Sequence, residues 1–148
     1  MTASVATIGY EGATLDAVLG TLQAAGVGLL VDVRAVASSR RPGFSKRQLA
    51  AGLEAVGIDY LHLRSLGTPA EGRQAARAGR HDELRQIYEA HLATEGAQEG
   101  LAELEALISG GRRVCLLCFE RQAEHCHRSM VAEKLTEQSG VSVAHFKA

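Results

Sequence analysis

Residues 27–33 are apolar at almost every position, with Leu29-Leu30-Val31 at the centre and the charged Asp32 and Arg34 at the end. A strand with one wet face alternates polar and apolar, whereas an unbroken run this short belongs where both faces of a sheet are covered. Residues 114–119 repeat the pattern, since their alternate positions are all apolar or cysteine. Two such runs demand a parallel sheet with helices on both sides, and the rest of the chain supplies the helices.

Residues 5–8 form a short β-branched strand closed by Gly9, followed by Leu15, Val18, Leu19 and Leu22 at helical spacing. Ser45 with Gln48 opens a second helix that buries Leu49, Leu53 and Val56. Residues 58–63 read as a third strand. Residues 64–81 lack a period and hold Gly67, Gly72, Gly79 and Pro69, so they are expected to form a long loop with at most a short irregular helix, and long loops in compact domains are often functional lids. Two helical stripes follow, one through Leu84, Ile87, Tyr88, His91 and Leu92, the other through Leu101, Leu104, Leu107 and Ile108. A last helix begins near His125 or Cys126 and ends at Gly140, and residues 141–146 form the fifth strand.

No two strands are joined by a hairpin, so the order requires right-handed crossovers. The expected architecture is α/β, a single three-layer Rossmann-like domain over residues 1–148 with a mostly parallel five-stranded sheet. At 148 residues a second core is not expected. The opening residues have no basic region followed by a long apolar run, and no stretch is long enough to span a bilayer, which predicts a cytoplasmic protein without membrane contact.

A net charge of −1 conceals a split. Residues 33–81 carry nine bases against three acids, and between Val33 and Leu53 there are five bases and no acid. Such a field attracts phosphate, carboxylate or nucleic acid.

Three polar clusters fall at strand ends, where ligands of open α/β sheets bind. The first is Gly9-Tyr10-Glu11-Gly12, whose glycines permit a tight turn and close backbone approach to a ligand, though no dinucleotide fingerprint is present. The second is Asp32-Val33-Arg34 with Arg40 and Arg41 downstream. Asp32 and Arg34 share one side of the strand and either neutralise each other or leave the arginine forks free to grip an oxyanion. The third joins Cys118-Phe119-Glu120-Arg121 to His125-Cys126-His127-Arg128 at the start of a helix. A helix N-terminus lowers a thiol pKa, which makes Cys126 the leading thiolate, with Cys118 placed as a loop nucleophile or as its redox partner.

Cys115 reads as a core residue, His91 as a core or boundary histidine and His145 as structural or exposed, while His62 is near enough to a strand end to reach the cleft. Cys118 and Cys126 lack the spacing of a zinc hook, and the pattern of a cysteine, five residues and an arginine fails because Glu124 stands six after Cys118. Neither metal nor cofactor is expected.

Thr7-Ile8-Gly9-Tyr10-Glu11-Gly12, Leu30-Val31-Asp32-Val33-Arg34 with Ser38, Arg40 and Pro42-Gly43-Phe44, and Leu117-Cys118-Phe119-Glu120 with His125-Cys126-His127-Arg128 together resemble the bacterial and archaeal family of domain of unknown function 488. Ala37 stands where that family usually has a proline. The resemblance implies a compact α/β fold with the motifs gathered, and it brings no reaction.

The leading functional expectation is a cysteine-dependent transferase or hydrolase acting on a small anionic substrate. Cys126, Cys118, Glu120 and His127 would carry the chemistry, and Tyr10, Glu11, Asp32, Arg34, Arg40, Arg41 and Arg128 would hold the anion. The alternatives are a nucleotide or nucleic-acid binding module, disfavoured by the acidic last third, and a noncatalytic protein whose polar cluster braces the sheet. The topology predicts that Arg34, Cys118, Cys126 and Arg128 surround one concavity at the carboxyl edge.

Overall fold

A computed structural model describes residues 3–148. Five strands, β1 (Ser4–Gly9), β2 (Leu29–Asp32), β3 (Asp59–His62), β4 (Val114–Cys118) and β5 (Ser142–Lys147), form one sheet in the order β3-β2-β4-β1-β5. All four pairings are parallel, one step beyond the mostly parallel sheet expected.

Pleat alternation divides the core in two. Cys115 and Leu117 of β4 join Ile8 and Leu30 beneath α1 (Leu15–Ala24) and α2 (Lys46–Ala55). Val114, Leu116 and Cys118 face the opposite way with Val31, under α4 (His81–Leu92), α5 (Glu95–Ser109) and α6 (His127–Ser139). Every residue of β2 and β4 is buried, as their unbroken apolar runs require. Cys115 is wholly enclosed, and burial drives its thiol pKa upward, in keeping with a core role.

Residues 64–81 differ from the loop expected. A 3-10 turn at Arg64–Leu66 leads into α3 (Ala70–Arg77), which packs on α4. The buried face of α3 is made by Gly72 and Ala75, and an added Cβ at Gly72 would press on Thr68, Ile87 and Leu84. Small residues allow this close packing and carry almost no hydrophobic signal, which explains why no period is visible. Ser45 does precede α2, yet its hydroxyl serves Ser39, and Gln48 accepts from the Gly43 N–H rather than closing a capping box. Gly140 ends α6 in the left-handed conformation with φ of 67°, the stop its sequence position implies. No helix among the described residues is long and apolar enough to cross a membrane.

Candidate functional site

β4 lies between β1 and β2, so the three motifs that follow these strands meet at one edge. Gly9 is the register partner of Cys118, and Asp32 that of Leu117. The Tyr10 and Glu11 N–H groups donate to the carbonyls of Cys118 (3.2 Å) and Phe119 (2.8 Å), which continues the ladder past the strand ends. The space that glycine leaves at position 9 is filled by the Glu120 carbonyl. The close approach expected for a ligand is therefore made by the protein's own loop.

The cysteine pair sits on this edge. Cys118 and Cys126 are both buried and their sulfur atoms are joined in a disulfide. Cys126 is the residue just before α6, and the Ser129 N–H and hydroxyl both donate to its carbonyl. His127 is buried next to it, with Nε2 2.6 Å from the Val33 carbonyl, so Nε2 carries the proton and donates. Nδ1 is left unprotonated, 3.7 Å from the Cys126 sulfur. Burial lowers the His127 pKa to about 4 and keeps the ring neutral. This bond ties the start of α6 to the end of β2.

Arg128 is fully buried, and its guanidinium works inside the fold. Nε donates to the Thr7 hydroxyl (3.1 Å), Nη2 to the Arg121 carbonyl (3.2 Å), and Nη1 to the Glu120 carbonyl and the Cys118 sulfur, the last at 3.3 Å. Arg34 is committed in the same way. Nε and Nη2 form a bidentate pair with Asp32 at 2.8 and 2.7 Å, and Nη1 donates to the Tyr10 hydroxyl (3.1 Å) and the Phe44 carbonyl (2.8 Å). Four of its five N–H groups are used. Asp32 is saturated too, since it also accepts from the Arg34 N–H and from the Tyr60 hydroxyl at 2.6 Å. Of the two readings of this pair, mutual neutralisation is the one the geometry supports.

A cleft of about 340 Å³ opens over this edge. Tyr10, Arg34, Cys118, Glu120 and His127 reach its lining from the motifs, joined by Phe119, Val36 and Ser38. Tyr10 is held by stacking on Phe44, ring centroids 4.4 Å apart, and by the edge of Phe119. Glu120 Oε2 lies 3.5 Å from the Cys118 sulfur, and burial raises the carboxyl pKa.

Other expected site residues lie elsewhere. Asp32, Cys126 and Arg128 are packed around the cleft without lining it. Glu11 is exposed and accepts the Arg121 N–H at 3.0 Å. Arg40 is exposed outside the cleft, and Arg41 donates to the Ala13 carbonyl. The expected concavity therefore gathers Arg34 and Cys118 at its surface, with Cys126 and Arg128 behind them. His62 bonds the Arg34 carbonyl at 2.7 Å, His91 the Ser65 carbonyl at 2.7 Å, and His145 the Thr7 hydroxyl at 2.5 Å.

The opposite wall was not foreseen. Thr68, Arg73, Ala76 and Arg77 enter the lining from α3 and the turn before it, with Leu84 from α4. The four-residue spacing of Arg73 and Arg77 would have placed them on one helical face, but only once a helix was recognised there.

Among the described residues, Cys118, Cys126 and His127 are the group with ligand-type atoms close together, within 4.8 Å of one another. Each offers one such atom, the two sulfurs and a His127 ring nitrogen.

A family model described as domain of unknown function DUF488 matches residues 14–135. The match takes in the second and third motifs and starts beyond Gly12. No curated protein and no solved structure matches the chain.

Proposed function

The chain belongs to the DUF488 family, whose description specifies no reaction, and from the geometry of its cleft we propose that it is a cysteine-dependent transferase or hydrolase acting on a small anionic substrate. One observation carries this reading. A cysteine sulfur at the carboxyl edge lines the cleft, 3.3 Å from a buried guanidinium nitrogen and 3.5 Å from a carboxyl whose pKa is raised. Cys118, rather than Cys126, occupies that place.

The disulfide is the resting form in this reading. Exchange with a dithiol reductant converts Cys118 and Cys126 to thiols and leaves the reductant oxidised. Arg128 then faces the freed Cys118 sulfur and stabilises its thiolate. The thiolate attacks an electrophilic carbon of the substrate, forming a C–S bond as the bond to the leaving group breaks, and Glu120 donates a proton to that group. Water or another acceptor attacks the same carbon, gives its proton to the Glu120 carboxylate and releases the thiolate. Cys126 holds the nucleophile masked until the reductant frees it, and the neutral His127 ring sets its unprotonated Nδ1 3.7 Å from the Cys126 sulfur.

Charge selectivity at the sulfur tests this. Alkylation of reduced protein by iodoacetate and iodoacetamide is followed at Cys118 by mass spectrometry, with free cysteine as reference. The expected result is an iodoacetate to iodoacetamide rate ratio above the reference that falls as salt is added. A ratio equal to free cysteine at low salt contradicts an anion-selective nucleophile.

A further inference from the structure

Arg34 and Arg128 are occupied by the protein itself, so an anion entering the cleft has to be met by other cations. Arg73 and Arg77 line the wall contributed by α3, and among the described residues neither forms an ion pair with a carboxylate. The next arginine along, Arg80, is by contrast paired with Glu83. Arg73 Nη1 donates to the Thr68 carbonyl at 3.0 Å, which steadies one guanidinium and leaves the rest of its donors available.

The same cleft has an apolar mouth. The exposed large hydrophobic residues of the described chain are Val36, 55% exposed, and Phe119, 42% exposed, and both line it. Tyr10 and Leu84 add a buried ring and an aliphatic side chain. Exposed large apolar side chains gathered at one opening mark a contact surface. A bare inorganic ion would use the arginines and leave this surface wet.

We infer that the cleft binds a small aromatic or similarly flat oxyanion, with its carboxylate or phosphate head on Arg73 and Arg77 and its apolar body between Val36 and Phe119. This rests on the proposed reading for its link to Cys118, but binding is measurable without chemistry. The volume of about 340 Å³ lies at the small end for ligand sites and suits a single-ring compound.

Calorimetric titration of the oxidised protein, whose sulfurs are masked, with phenyl phosphate, benzoate, inorganic phosphate and phenol tests the inference. An aromatic oxyanion should bind at least ~10-fold more tightly than inorganic phosphate or phenol, and Arg73→Ala and Arg77→Ala should each weaken it by ~10-fold or more. Arg40→Ala, which removes an equal charge outside the cleft, should leave it unchanged. Preference for phenyl phosphate over benzoate, or the reverse, identifies the head group. Absence of binding by both aromatic oxyanions, equal loss on Arg40→Ala, or indifference to Arg73→Ala and Arg77→Ala overturns the assignment. Selective binding with an ordinary alkylation ratio at Cys118 keeps this site and rejects the thiol chemistry; the opposite pair of results does the reverse.

Discussion

Arg34 and Arg128 lie buried at the sheet edge and spend their N–H groups on Asp32, Tyr10, Thr7 and loop carbonyls. Arg73 and Arg77, across the same cleft, have no carboxylate partner among the described residues. The two pairs carry the same charge in different surroundings. The buried pair fixes where the Cys118 loop and the Tyr10 turn lie, and the α3 pair lines the cleft without an ion-pair partner among the described residues. Clustering of basic residues in a sequence therefore does not tell which cations the fold itself consumes.

The comparison is tested first on the buried side. Arg34→Met strands the enclosed Asp32 carboxylate and should lower unfolding free energy by about 4 to 5 kcal/mol in urea titrations. Adding Asp32→Asn should restore part of that loss, because the stranded charge is then gone. Arg128→Met leaves the Thr7 hydroxyl and the carbonyls of Glu120 and Arg121 without their donor, at a cost of about 3 to 4 kcal/mol.

His127 gives a prediction in pH. Its pKa is about 4 in the folded chain against an ordinary 6.5, so the unfolded chain takes up the proton first as pH falls. Its contribution is complete above pH 6.5 and is lost on going down to about pH 4, amounting to about 3 kcal/mol. Subtracting the urea stabilities of His127→Gln from those of the parent at pH 7 and pH 4 should expose that slope. A difference independent of pH would place the ring in water rather than against Val33.

On the open side, Arg73→Ala and Arg77→Ala should each change stability by less than about 0.5 kcal/mol, since half-exposed or exposed side chains without ion-pair partners are being removed. A loss comparable to that of Arg34→Met would erase the distinction.

These contrasts mark what was legible in the chain. The places of β2 and β4 follow from continuous apolar runs that only a doubly covered sheet accommodates, and the start of α6 follows from the polar cluster ahead of Met130 and Val131. The pairing of Asp32 with Arg34 was available from two-residue spacing. Its saturation was not, because it depends on Tyr10, Phe44 and Tyr60, which are distant in sequence and brought in by the sheet. α3 stayed hidden because Gly72 and Ala75 form its buried face, and with it went Arg73 and Arg77. Cys126 drew attention by its place before a helix, while the cleft is reached by Cys118, a difference set by how the loop after β4 folds back over Gly9.

The central claim is that Cys118 is an activated thiol. The most direct measurement is the pH dependence of iodoacetamide alkylation at Cys118 in reduced Cys126→Ser protein, where the disulfide cannot form and Cys115 remains buried. With Arg128 donating to the sulfur at 3.3 Å, the account predicts a Cys118 pKa below about 7.5 that rises toward the ordinary value of about 8.5 in a folded Arg128→Met variant, which removes the charge. A Cys118 pKa at or above about 8.5 in the parent protein would contradict it.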